Sequence, residues 1–241
     1  MEKSKSYIKN LLIVLFCTLC AVVVYLVFQN SFVGDKNGTV KVLTPNPVTV
    51  IIDAGHGGED CGTIGVNGVY EKDINLSVAN ELERLLEEQG VNVIMTRRED
   101  KLLYTEAQNI KGQKKQFDLK NRLEYANSNP DAVFVSIHMN NFYLESCRGI
   151  QVYYTNGNEK SRMLAQSIQT FVTDNLQTYN TRKIKSSDGT IYLLDNAVGV
   201  SVLVECGFLS NQEECEKLSQ KDYQSQLSFW IFCGIMNYIN S

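Results

Sequence analysis

Two histidines occur in the 241-residue chain, His56 and His138. Each follows an apolar run: Val50-Ile51-Ile52 leads through Asp53-Ala54-Gly55 to His56, and Val133-Phe134-Val135-Ser136-Ile137 leads to His138. β-Branched and aromatic runs of this kind are buried strands, so both imidazoles stand where a strand gives way to a loop. The loop after His56 is rich in glycine and ends at a carboxylate, Glu71. Two imidazoles and one carboxylate are a donor set used by catalytic zinc sites, which keep a fourth position for water. Taken singly, each histidine reads as well as a satisfied polar group at a strand end. Their common placement favours the metal, because neighbouring parallel strands open on the same sheet edge.

A fourth residue repeats the pattern, since Ser201-Val202-Leu203-Val204 ends at Glu205. A carboxylate beside an activated water can take its proton and return one to a departing amine, which is what amide hydrolysis requires. Alone, Glu205 reads as a solvated strand end or a helix cap. Asp53 stands behind the loop, where it orients His56 or simply packs at the strand end. Asn140 and Arg148 flank His138 as candidates for substrate contact, with plain solvent-facing polarity as the alternative. Cys61, inside the loop, offers a competing His, Cys, His set; a thiolate there would make the metal a poorer Lewis acid.

The elements that must position these residues alternate. Ile74, Val78, Leu82, Leu85 and Leu86 form one stripe of a helix that starts near Glu71 and stops at Gly90. Glu71 in its first turn suits the helix dipole. Val91 to Thr96 is the next strand, and Lys101 to Lys115, polar and without period, reads as an exposed insertion. Asp118 to Asn127 is a short helix with Leu119, Leu123 and Ala126 inward, before the strand Ala132 to Ile137. Further strands are expected over Gly149 to Tyr154, Ile191 to Leu194 and Ser201 to Val204, and a helix over Glu159 to Leu176. Ser210 to Glu213 has capping-box spacing, and Tyr223 to Ile239 closes the chain as a helix. Strands alternating with helices predict a single α/β domain with a largely parallel sheet.

Leu11 to Phe28 is an uncharged apolar run long enough to span a bilayer, preceded by Lys3, Lys5 and Lys9. It offers no small-x-small cleavage site, so residues 1–29 are expected to be a cytoplasmic stub and a retained membrane anchor. Residues 30–47 then form a tether, and 48–241 a domain on the extracytoplasmic face. A net charge of −4 with mixed signs shows no basic surface for nucleic acid. Of seven cysteines, five lie beyond the anchor, and they read as mostly free thiols.

Four separated motifs carry a family resemblance: IIDAGHGG followed by YEKDINL, then SIHMN, then GIQVYY, then VLVECGFLSN. Together they resemble the zinc-dependent N-acetylmuramoyl-L-alanine amidases of the Amidase_3 branch. The small size and single anchor make the chain most similar to the sporulation and germination (CwlD-type) members. The resemblance implies a mostly parallel sheet of about six strands, one Zn2+, and hydrolysis of the amide between N-acetylmuramic acid and L-alanine in peptidoglycan, in spore cortex maturation. It implies His56, Glu71 and His138 as zinc ligands and Glu205 as the catalytic carboxylate. An accessory activating protein is a further candidate partner, with Lys101 to Lys115 as its docking surface. Alternatives are a catalytically degenerate, membrane-anchored peptidoglycan-binding protein and a zinc peptidase acting on stem-peptide bonds. Ala54 and Cys206 depart from the family's usual proline and non-thiol residue, and strand alternation turns Cys206 away from the face of Glu205.

Overall fold

The computed structural model describes residues 48–241. The expected anchor and tether, residues 1–47, lie outside them. Among the described residues no helix is long and apolar enough to cross a membrane.

Six strands form one sheet: β1 Thr49–Ala54, β2 Asn92–Met95, β3 Val133–Asn140, β4 Gln151–Tyr154, β5 Lys185–Ser186 and β6 Val200–Phe208. Their order across the sheet is β2-β1-β3-β6-β4-β5. β2, β1, β3 and β6 run parallel, while β4 is antiparallel to β6 and pairs in parallel with β5. The expected mostly parallel α/β domain is therefore present, with its last two strands reversed.

Alternation along the strands separates two cores. Val50, Ile52 and Ala54 of β1, Val133, Val135 and Ile137 of β3, and Val202, Val204 and Cys206 of β6 share the larger one. Helices α1 (Glu71–Glu87), α3 (Glu159–Asn175) and α6 (Lys221–Ile239) cover it with Leu82, Ile168 and Ile231, among others. Each such fully buried Leu or Ile contributes about 1.5–3 kcal/mol, so this face carries most of the apolar stabilisation. On the opposite face the apolar cluster is small, Ile51 and Phe134 meeting Ala126 and Leu193. That face is covered by α2 (Lys114–Asn127) and the short α4 (Tyr192–Asn196).

Three local expectations are corrected. Ile191 to Leu194 is not a strand: Tyr192 opens α4, and Leu193 and Leu194 are buried by helical packing, while Lys185 and Ser186 take the sheet edge. Within α2 the buried stripe is Asp118, Arg122 and Ala126, one position from the apolar stripe, because Arg122 and Asp118 form an ion pair beneath β1. Leu119 and Leu123 are only partly buried, against the smaller cluster. The cap of α5 (Gln212–Leu218) is Asn211 rather than Ser210; its side chain accepts from the Glu214 amide at 3.0 Å. Glu214 instead turns inward and accepts from the amides of Gly149 at 2.7 Å and Phe208 at 2.8 Å.

Candidate active site

The C-terminal ends of β1, β3 and β6 meet at one edge of the sheet. His138 and Glu205 are direct register partners on β3 and β6, so their side chains leave the same face side by side. His56 lies just past β1, and Glu71 is the first residue of α1, entering from the other side. The amides of Glu71 and Lys72, which a helix start leaves without helical partners, donate to the carbonyls of Thr63 at 2.9 Å and Cys61 at 3.2 Å. The glycine-rich loop is thereby tied to the helix that carries the carboxylate.

His56, Glu71 and His138 each offer one donor atom, and the three atoms lie within 4.8 Å of one another. Glu71 Oε1 is 3.2 Å from His56 Nε2 and 3.0 Å from His138 Nδ1. Those separations are near the roughly 3.3 Å edge of a tetrahedron of zinc–ligand bonds. Cys61 is not among the converging donors; its thiol donates to the Gly62 carbonyl at 3.3 Å. Nitrogen and oxygen donors in this number, with an open side, fit zinc. Glu205 lines the same 560 Å³ cleft, and its Oε2 is shielded from solvent with no hydrogen-bond partner among the described residues.

Two glycines make the convergence possible. A Cβ on Gly55 would stand 2.3 Å from His138 Nε2, so the imidazole of β3 rests on that residue's backbone. A Cβ on Gly62, whose φ is +66°, would stand 2.5 Å from Glu71 Oε2. His56 itself has φ +61°, a left-handed conformation that costs a non-glycine residue energy and must be held by its surroundings. Arg122 holds it from one side, donating to the His56 carbonyl at 2.7 Å. Arg97 holds the preceding turn, donating to the carbonyls of Ala54 at 2.8 Å and Gly55 at 3.0 Å.

The residue that orients His56 is Asp60, whose carboxylate is 2.7 Å from His56 Nδ1. Asp53 does not reach that imidazole. Alternation along β1 turns it toward α2, where it is fully buried and bonded to Arg122 at 2.5 Å, Thr96 at 2.7 Å and Ser136 at 2.6 Å. Asn140 lines the cleft, as Asn141 does. Arg148 is not among the cleft's lining residues; its guanidinium stacks over Tyr179, 4.8 Å from the ring centre. Cys206 is buried in the larger core, away from Glu205. Asp60 was findable as an acid four residues after His56 in the same loop, and Arg97 as a charge directly after a strand. Arg122 gave less signal, because its helix also has an apolar stripe.

From the protein's own charges, burial alone would lower the His56 pKa, but Asp60 and Glu71 raise it to about 9. Burial pushes the Glu71 carboxyl up, and the two imidazoles more than offset this, holding it well below the usual carboxylate range. Asp60 is likewise held well below that range, by His56 and Lys115 against its own burial. Glu205 moves the other way: burial raises it to about 7, against the pull of His138 and His56. Acids whose environments separate their proton affinities in this way are suited to different roles, one as a permanent anion and one as a proton carrier.

A sheet edge carrying a His-Glu-His donor set that could hold a metal ion, with a half-buried carboxylate beside it, has the parts that metal-assisted hydrolysis requires. The chain belongs to the N-acetylmuramoyl-L-alanine amidase family Amidase_3, which it matches over residues 50–237. It is 32% identical over 217 residues to the germination-specific N-acetylmuramoyl-L-alanine amidase of Bacillus subtilis (strain 168), covering 90% of each chain. It is 38% identical over 192 residues to the uncharacterized protein YqiI of the same organism, covering 79% of this chain and 84% of that one. Among solved structures, the CwlD amidase from Clostridioides difficile, determined in complex with the GerS lipoprotein, has a TM-score of 0.76 at 39% identity. That match covers 80% of this chain and 98% of the other.

Proposed function

We propose that this chain is a zinc-dependent amidase that cleaves the bond between N-acetylmuramic acid and L-alanine in peptidoglycan, in spore cortex maturation. The observation that carries the reading is the convergence of His56, Glu71 and His138 beside the unpartnered carboxyl of Glu205. Membership of an amidase family and likeness to a germination-specific amidase support the substrate and the setting. His56 through Nε2, His138 through Nδ1 and Glu71 through Oε1 would hold the ion. Zinc bound there would supply Lewis acidity and would make a nearby water easier to deprotonate.

The protein's own residues do the rest. Glu71 cannot serve as the base, because its Oε2 is committed to the Thr63 amide at 2.8 Å and its Oε1 to the Met139 amide at 3.1 Å. Glu205 lines the cleft with a carboxyl whose Oε2 has no partner among the described residues, and a proton affinity suited to neutral pH lets it accept the attacking water's proton. The same carboxyl then protonates the departing alanine nitrogen. Asp60 keeps the Nδ1 proton of His56 in place, so that Nε2 presents its lone pair.

Residues 1–29 would anchor the domain of residues 48–241 to the membrane with its site outside the cytoplasm, and an accessory protein is a further partner, as the lipoprotein complex of the Clostridioides difficile relative suggests. The experiment is product identification on purified muropeptides. Glu205→Gln is expected to retain zinc, measured by elemental analysis, while stem-peptide release falls by about 10²–10⁴-fold. Cleavage within the stem peptide instead would turn the reading to a peptidase, and wall binding without cleavage to a degenerate binding protein.

A further inference from the structure

The catalytic cleft does not end at its rim. A second cleft of 590 Å³ adjoins it, walled by Glu59, Leu102, Asn109, Lys111 and Lys114. Asp60 and Lys115 line both, so the two clefts share a wall. The segment expected to be a featureless insertion is its wall: Leu102 is buried, Glu106–Gln108 makes a 3-10 turn, and Lys114 opens α2.

In a chain of net charge −4, Lys111, Lys114 and Lys115 fall within five consecutive residues of that wall. Two are partnered: Lys114 with Glu59 at 2.5 Å and Lys115 with Asp60 at 3.1 Å. Lys111 is exposed and has no partner among the described residues. Asp60 is already bound to His56, so it screens Lys115 only in part. The Glu59 pair is open to water, where such pairs are worth about 0.2–1 kcal/mol, so a ligand carboxylate can replace Glu59 at small cost.

The charge identifies which part of the substrate belongs there, granted the amidase reading above. Muramic acid has its lactyl carboxyl tied up in the scissile amide, and its amino group is acetylated, so the glycan side is neutral. The stem peptide is where the carboxylates are. We infer that the cleft along Lys111, Lys114 and Lys115 receives the acidic portion of the stem peptide. The leaving-group side of the amide is then directed toward α2, and peptides with free carboxylates are preferred to amidated ones.

The test uses the Glu205→Gln protein, with binding of a free acidic stem peptide compared with binding of the same peptide fully amidated. Selective binding of the acidic peptide is expected, weakened about fivefold by an added Lys111→Glu change and more steeply at low salt. The amidated peptide should bind the two proteins alike. Equal affinity for both peptides, or a Lys111→Glu effect of the same size on both, overturns the inference. Cleavage is read separately on the parent protein with intact muropeptides. A parent that cleaves but does not discriminate loses this inference alone, whereas one that discriminates but releases no peptide keeps the subsite and loses the amidase reading.

Discussion

Asp60 supports the proposed metal site without contributing a donor atom. Its carboxylate fixes the ring of His56, the one donor borne by a loop in a left-handed backbone conformation. Orienting carboxylates of this kind are worth about 10–100-fold in metal affinity. Asp60→Asn is therefore expected to weaken zinc binding by that factor, as read by competition with a chromophoric chelator, while the thermal unfolding of the metal-free protein stays nearly unchanged. Gly55→Ala acts on the other imidazole: a methyl group 2.3 Å from His138 Nε2 must displace the ring. The expected result is loss of stoichiometric zinc, by elemental analysis, in a protein that still folds. His56, Glu71, His138 and Glu205 were legible as a group because each is a polar residue where an apolar run or a loop ends. Of the two roles the sequence leaves open for Asp53, packing at the strand end is the one present: strand alternation turns it toward Arg122, and nearness in sequence to His56 is not nearness in space.

At the scale of elements, β1 and α2 are joined by a buried ion pair beside a small apolar cluster. Arg122 is 2% exposed and Asp53 fully buried, and the guanidinium also serves Asp118, Ala54 and His56. Removing one partner of such a pair leaves an uncompensated charge, so Arg122→Met is expected to cost about 3–5 kcal/mol in urea unfolding. Pairing it with Asp53→Asn should restore part of that loss, since the stranded charge disappears. The pair also sets an acid limit. Burial raises the Asp53 carboxyl, but Arg122 together with Ser136 and Thr96 brings it below its ordinary 3.8. A depressed carboxylate contributes stability in full above its unfolded value and loses it as the pH falls through the folded value. The Arg122→Met protein should accordingly show a shallower loss of stability than the parent when both are titrated below pH 4. Helix α2 itself was only half legible. Its period showed, but the apolar stripe of Leu119 and Leu123 pointed one position away from the charged residues that are buried, and propensity holds no record of a partner sixty-nine residues distant.

For the molecule as a whole, the sheet order predicts that the fold does not depend on the proposed metal. The strands carrying His138 and Glu205 are interior, flanked on both sides, and the larger core is built from apolar side chains that none of the donor atoms joins. Chelation is thus expected to abolish activity while far-ultraviolet circular dichroism is retained, with added zinc restoring turnover; collapse of the fold on chelation would make the ion structural. The element order and the α/β class were readable from alternating periods, whereas the reversal of β4 was not, because a four-residue strand has the same pattern in either direction. One consequence follows from where the donors are mounted. His138 is fixed to the interior of the sheet, while His56 rides on a turn stapled by Arg97, Arg122 and the Lys72–Asp100 bridge at 2.6 Å. Opening of that turn alone should therefore be enough to release a bound ion, and amide exchange at Gly57 to Thr63 should report such opening well below the free energy of global unfolding.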